Sequence, residues 1–278
     1  MLQEFLAQSD SQNGKARHQA FCNTVELSNL IPPTVSYESR GALLVIADTQ
    51  PAKVNLSVIQ DCLEQFSELP SVTLALVKGI HAPDNVDTYY YTKAKINGFL
   101  GHFEVLLTQD DHLVDIDLAP VAIQSSHFDM VLDLTGTSFI DSEVPPVGYF
   151  PVGRGYPKLA DAIEEIKGLI GTFDKPKFFR LNTDKCAHSS RGVKGCQRCI
   201  LSCPAGALSS EGSDKTGHKI EINPYLCQGV GTCATSCPTG AIEYALPYPV
   251  ETQNFIERTL KNYADAGGCD PIILFCSA

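Results

Sequence analysis

A chain of 278 residues with 44% hydrophobic and 19% charged residues has an ordinary globular composition and is long enough to bury a real core in one large or two small domains. Its formal charge of −11 argues against nucleic-acid binding, because the phosphate backbone would be repelled. No run of eighteen apolar residues occurs, so no membrane-spanning helix is expected, and the start carries neither a signal-length apolar stretch nor a twin arginine.

Residues 1–39 read as an N-terminal arm, with a short helix over 15–30 ended by Ile31-Pro32-Pro33. Residues 40–141 read as a small α/β domain. Ala42–Ala47 is an unbroken apolar run, hence a buried strand. Leu56, Ile59, Leu63 and Phe66 recur near helical spacing over 55–68, with Asn55 as a cap, and Val72–Val77 is a second buried strand. Strand, helix and strand predict a right-handed βαβ unit with a parallel pair. A polar loop over 81–95 carries Tyr89-Tyr90-Tyr91, read as a half-buried loop cluster rather than a contact patch. Phe99–Thr108 and His112–Leu118 predict a hairpin about Gln109-Asp110-Asp111, and Phe128–Leu134 is a further strand. No dinucleotide fingerprint or phosphate loop occurs, and Gly153-Arg154-Gly155 lies in a proline-rich stretch, so docking or scaffolding outranks nucleotide binding here.

Residues 142–185 read as a proline-rich connector through residue 157, then an amphipathic helix on Leu159, Ile163, Ile166, Leu169 and Ile170 ending near Gly171. A short strand at Lys177–Asn182 leads straight to Cys186.

Residues 186–246 hold seven of the eleven cysteines. Gly195-Cys196-Gln-Arg-Cys199-Ile-Leu-Ser-Cys203-Pro204-Ala-Gly206-Ala207-Leu208 returns thirty-four residues later as Gly229-Val230-Gly-Thr-Cys233-Ala-Thr-Ser-Cys237-Pro238-Thr-Gly240-Ala241-Ile242, with half of the fourteen positions identical. Such a short repeat buries no core alone, so the halves should pack on each other around something, and thiolates at this spacing point to iron–sulfur. Zinc is the main competitor, but its sites favour two Cys-x-x-Cys pairs, and here Cys-x3-Cys-Pro stands instead. A disulfide framework suits small secreted chains. A hairpin is expected from 207–210 and 218–222, and Tyr225 and Tyr244 read as packing that keeps water out.

The stretch resembles the bacterial-type dicluster (2 × 4Fe–4S) ferredoxin domain, whose half-motif is C-x2-C-x2-C-x3-C-P. The resemblance implies that three cysteines of one half hold a cluster while the fourth, before the proline, crosses to the other. It implies an α+β fold overall: a small α/β N-terminal domain followed by a ferredoxin-like dicluster domain with pseudo-two-fold symmetry. Each half departs from the pattern. The first cysteine position of the first half is Val193, and Cys186, seven residues upstream, is the replacement. The second position of the second half is Val230, with no cysteine nearby. Crossover then gives one complete set for a 4Fe–4S cluster, Cys186, Cys196, Cys199 and Cys237, and one short set, Cys203, Cys227 and Cys233. The short set leaves four states open: a 3Fe–4S cluster, a 4Fe–4S cluster with a labile iron held by water or a non-cysteine ligand, recruitment of Cys22, Cys62, Cys269 or Cys276, or no cluster. Three-cysteine ligation is the preferred reading, and similar ferredoxins lacking this cysteine often carry the three-iron form. His188 reads as a loop histidine near the surface rather than a ligand.

Residues 247–278 read as an amphipathic helix over 251–264, stopped at Gly267-Gly268, and then a buried strand from Pro271 to Cys276, which reads as the start of a truncated further domain. The chain as a whole resembles ferredoxin-containing accessory subunits of cytoplasmic oxidoreductases. This implies single-electron relay with a redox protein or oxidoreductase subunit as partner, a formate-dehydrogenase type being one possibility. The acidic surface suits steering of basic partners, though many soluble bacterial proteins are acidic. No catalytic nucleophile, acid–base pair or organic-cofactor loop is visible, so an electron carrier or subunit outranks a self-standing enzyme. A redox or iron sensor with a labile three-cysteine cluster, and a catalytic module with substrate at an open iron, are the alternatives.

Overall fold

The structure is a computed structural model, and it describes residues 10–24, 33–48, 56–79, 81–83, 86–109, 114–153, 157–188, 194–213, 215–245 and 249–274. Ile31, Pro32, Asn55, Asp110, Asp111, Arg154, Gly155, Val193 and Cys276 lie outside these residues.

The first element, helix α1 (Gln12–Asn23), is capped by Ser11, whose hydroxyl accepts from Gly14 N–H at 3.1 Å. It ends before the expected limit because Thr24 turns out of the helix, its hydroxyl donating back to Ala20 O at 2.7 Å. Strand β1 (Thr34–Ser39), absent from the sequence reading, buries alternate residues including Val35 and Tyr37.

The centre of the fold is a five-stranded parallel sheet. Strand β2 (Ala42–Ala47), helix α2 (Leu56–Gln65) and strand β3 (Ser71–Val77) form the expected βαβ unit, with Leu43 opposite Val72 in parallel register. Strand β4 (Thr88–Tyr91) pairs parallel with β3. The tyrosines expected in a loop therefore stand on a sheet strand, and Tyr91 is buried. A three-stranded antiparallel sheet follows: β5 (Lys93–Asn97), β6 (Glu104–Thr108) and β7 (Asp115–Asp117). The expected hairpin is its β6–β7 half, while β5 was read as loop. Helix α3 (Leu118–Ala122) leads to strand β8 (Met130–Asp133), which pairs with β2. Strand β9 (Tyr149–Pro151) pairs with β8, so the segment read as a connector supplies the far edge of the sheet, in the order β4-β3-β2-β8-β9. Three residues with a proline at the end are too short to show a period, and the edge position tolerates that proline.

Period-two alternation decides which face each central side chain covers. Leu43, Val45 and Ala47 pack with Ile59 and Cys62 of α2, with Phe66 just past its end, and with Ala162, Ile163 and Ile166 of helix α4 (Leu159–Gly168). Leu44 and Ile46 pack on the opposite face with Ile96, Phe103, Val105 and Leu107 of the antiparallel sheet layer.

Gly171, at φ +129°, starts strand β10 (Gly171–Pro176), which pairs antiparallel with β1 in a two-stranded ribbon. Strand β11 (Phe179–Leu181), helix α5 (Arg198–Leu201), hairpin β12 (Leu208–Ser213) and β13 (Gly217–Ile222), helix α6 (Thr232–Ser236) and strand β14 (Ile242–Tyr244) complete a cysteine-rich unit in which β11 pairs β14. Helix α7 (Pro249–Asp265) returns to pack on α1, tied by Gln12 Nε2 donating to Gly267 O and by Asn262 Nδ2 donating to Thr24 Oγ1, both at 3.0 Å. The expected buried strand after Pro271 is not seen over 271–274. These residues are exposed, with Ile272 at 94%, and among the described residues no strand pairs with them. Among the described residues no helix is long and apolar enough to cross a membrane.

Candidate metal centre

The two halves of the repeat fold alike locally. In each, a short helix carries the middle cysteine, Cys199 on α5 or Cys233 on α6, and ends just before a Cys-Pro step. Gly206 and Gly240 follow at φ +59° and +63°, with nothing within 4 Å of a built Cβ, so glycine is there for the backbone turn and not for space. The turn bends the chain back over the sulfur. Ala207 N–H donates to Cys203 Sγ at 3.4 Å, and the N–H groups of Ile242, Thr239 and Ala241 do the same for Cys237. Burial pushes the Cys237 thiol up, but these donors and the Thr239 hydroxyl outweigh it and hold the thiol below its ordinary value.

The sulfurs fall into two groups. Cys186, Cys196, Cys199 and Cys237 line one small cavity with Pro238, Thr239 and Ile242. Burial raises the Cys199 thiol, with Cys186 and Cys237 adding to the shift as nearby like charges. Cys203, Cys227 and Cys233 form the other group. Burial pushes Cys233 up to about 11, and the neighbouring Cys227 and Cys203 push the same way. Burial also raises Cys227. Cys199 and Cys233 are seated with Cys186 among Leu208, Ile220, Ala241 and Ile242, and thiols so buried ionise when a cation receives them, so metal binding there would release protons. The groups are adjacent: Thr232 Oγ1 donates to Ser202 O at 2.7 Å, tying the α6 loop to the end of α5.

Among the described residues no three His, Cys, Asp or Glu side chains converge as a site for a single ion. A mononuclear tetrahedral thiolate site needs sulfurs within about 4 Å of one another, since each metal–sulfur bond is about 2.3 Å. A cluster, in which each cysteine binds its own iron, sets a wider spacing. Apolar walls, N–H donors aimed at sulfur and the all-thiol donor set fit that group.

The remaining candidates are elsewhere. Cys62 is in the core of the α/β unit, where burial first and Asp61 second push it up to about 11. Cys22 is exposed on α1 beside His18, and Cys269 is exposed beside Asn13. None of the three joins the short group. Val230, at the second position of the second repeat, is 53% exposed.

His188 corrects the sequence reading: it is 1% exposed, not a surface residue. Its Nδ1 meets Cys196 O at 3.1 Å and its Nε2 meets Ser210 Oγ at 2.9 Å, so both ring nitrogens are engaged and neither is left for iron. Tyr225 packs as expected, stacked on Phe99 at 4.4 Å, whereas Tyr244 is 41% exposed against Phe178 and Phe179.

Two site residues escaped the sequence reading. Gly195 is one: a Cβ there would lie 2.4 Å from Ala187 O, so only glycine lets the Cys186 loop close on Cys196. The Gly-Cys pair that opens the repeat was the available signal. Gly195→Ala should leave the α/β unit folded but speed loss of visible absorbance under an iron chelator by roughly tenfold, since a backbone shift of even a few tenths of an ångström loosens the loops that carry Cys186 and Cys196. The other is Lys175, whose side chain enters the short group's loop from 52 residues away in sequence, where no local pattern reports it.

Residues 194–241 match the 4Fe-4S dicluster domain. This stretch is an iron–sulfur dicluster domain. Cys186 lies outside the match. Over 63 residues the chain is 36% identical to the pyruvate synthase subunit PorD of Methanothermobacter marburgensis, a stretch covering 23% of this chain and 59% of that relative.

Proposed function

We propose that the protein is an electron-transfer module that passes single electrons for an oxidoreductase, either as one of its subunits or as its docking carrier. Iron–sulfur clusters supply one-electron chemistry when bound. The chain's part is to hold them close, dry and hydrogen-bonded. Cys186, Cys196, Cys199 and Cys237 are assigned to one cluster of the 4Fe–4S type. Cys203, Cys227 and Cys233 are assigned to a second, of the 3Fe–4S type or 4Fe–4S with a non-cysteine ligand. The observation that carries this reading is the division of seven thiols into two adjacent groups, each with one member from the other repeat. The matched turns at Gly206 and Gly240 support a pseudo-two-fold relation between the halves. The domain division at residues 40, 142, 186 and 247 belongs to the same reading, with the α/β unit as a docking platform. The relative's place in pyruvate synthase favours a subunit role, and a formate-dehydrogenase-type partner is a narrower form of it.

Protein purified without oxygen should contain about seven or eight irons with matching acid-labile sulfide per chain. Bound zinc without sulfide would overturn the proposal. Exposure of Val230 favours one secondary reading, a sensor whose short-set cluster gives up iron reversibly, and it predicts recovery of lost iron on adding ferrous salt under reduction.

A further inference from the structure

Lys175 sits near the end of β10, opposite Val35 of β1, and points into the loop that holds the short thiol group. Its Nζ donates to Tyr225 O at 2.7 Å, to Cys227 O at 3.0 Å and to the Tyr37 hydroxyl. The Tyr37 hydroxyl in turn donates to Tyr225 O, so it faces the nitrogen as an acceptor. Three acceptors around one nitrogen call for three N–H donors, which only the ammonium form provides. The Tyr37 ring face lies 4.9 Å away and favours a cation as well. Among the described residues no carboxylate forms an ion pair with Lys175. A partly buried cation without a carboxylate partner favours negative charge nearby, and the loop that Lys175 bonds carries Cys227 of the short thiol group.

We infer that Lys175 is a positioning residue that sets the reduction potential of the second cluster, holding it up by placing a positive charge at the ligand loop. This rests on the reading that Cys203, Cys227 and Cys233 hold an iron–sulfur cluster. Reduction adds one electron and thus one negative charge, so a nearby cation stabilises the reduced form more than the oxidised one. Because Lys175 also bonds Tyr37 of the β1 ribbon, whose ring meets Phe99 at 6.0 Å, the same residue ties the dicluster domain to the α/β unit. The charge and the tie are separable by substitution.

The test is an EPR-monitored redox titration of the native chain and of Lys175→Met, Lys175→Gln and Lys175→Arg, with iron and sulfide measured first. In Lys175→Met with full iron content, the ratio of reduced to oxidised second cluster at a fixed potential should fall about tenfold, a downward shift of about 59 mV for a one-electron couple, with the first cluster unmoved. Lys175→Arg should stay near the native value. Full iron content with an unchanged potential in Lys175→Met would overturn the inference. If Lys175→Met loses the second cluster, Lys175→Gln, which keeps two donors without the charge, is read by the same criterion. Loss in both uncharged variants with retention in Lys175→Arg also supports the charge, and equal loss in all three overturns it. A native chain with no second cluster would fail the underlying reading instead, and the iron analysis shows that before any variant is compared.

Discussion

A Cys237→Ala chain, purified without oxygen, should lose the cluster of the first repeat and keep that of the second. Iron should fall by about four per chain with an equal fall in sulfide, because a 4Fe–4S cluster assigned to these four thiolates would lose one of its four protein ligands. The prediction is specific because Cys237 belongs in sequence to the second repeat. In space it shares a cavity with Cys186, Cys196 and Cys199. Its sulfur accepts from the backbone N–H groups of Ile242, Thr239 and Ala241, so its loss also removes charge stabilisation that the first cluster would use. Cys203→Ala should do the opposite, leaving the four-thiol set intact and emptying the three-thiol set. If Cys237→Ala removed the signal of the second cluster instead, the crossover assignment would be wrong although the iron–sulfur reading survived.

Val230→Cys should complete the second site. The native protein is expected to show, as isolated, either the oxidised-state EPR signal of a three-iron cluster or an iron that exchanges with added metal. The substituted chain should show neither, with about one iron more per chain if the native site holds three. The position is favourable: Val230 stands between Cys227 and Cys233, is 53% exposed, and lies between Gly229 at φ +75° and Gly231 at φ +93°. Those two glycines shape the loop, so a thiol at 230 enters a backbone already bent around the site. A Cβ at Gly229 would press on the Phe178 ring at 3.0 Å, which is why Val230, and not its neighbour, is the place to add the ligand. Unchanged iron and spectra in Val230→Cys would mean that the fourth corner does not face residue 230.

The sequence by itself determined the chemistry and the heart of the sheet. Cysteine spacing is a local property, set by a few residues of backbone. A division into Cys186, Cys196, Cys199 and Cys237 against Cys203, Cys227 and Cys233 is therefore what the motif leads one to expect, and the first four line one small cavity. Strands β2 and β3 and helices α2 and α4 were likewise legible, because long apolar runs and helical periods survive whatever packs on them. Only the tertiary structure decided the rest. Strands β4 and β9 are too short to show a period, and their partners supply the pairing that makes them strands. The β1–β10 ribbon joins residues more than 130 positions apart, as in the bond from Ser36 Oγ to Asp174 Oδ1. His188 is buried because Ser210 and the Cys196 carbonyl close over it, and Lys175 reaches Cys227 because that ribbon carries it there. Burial, pairing and electrostatic environment depend on what arrives from elsewhere in the chain, and no local pattern records the arrival.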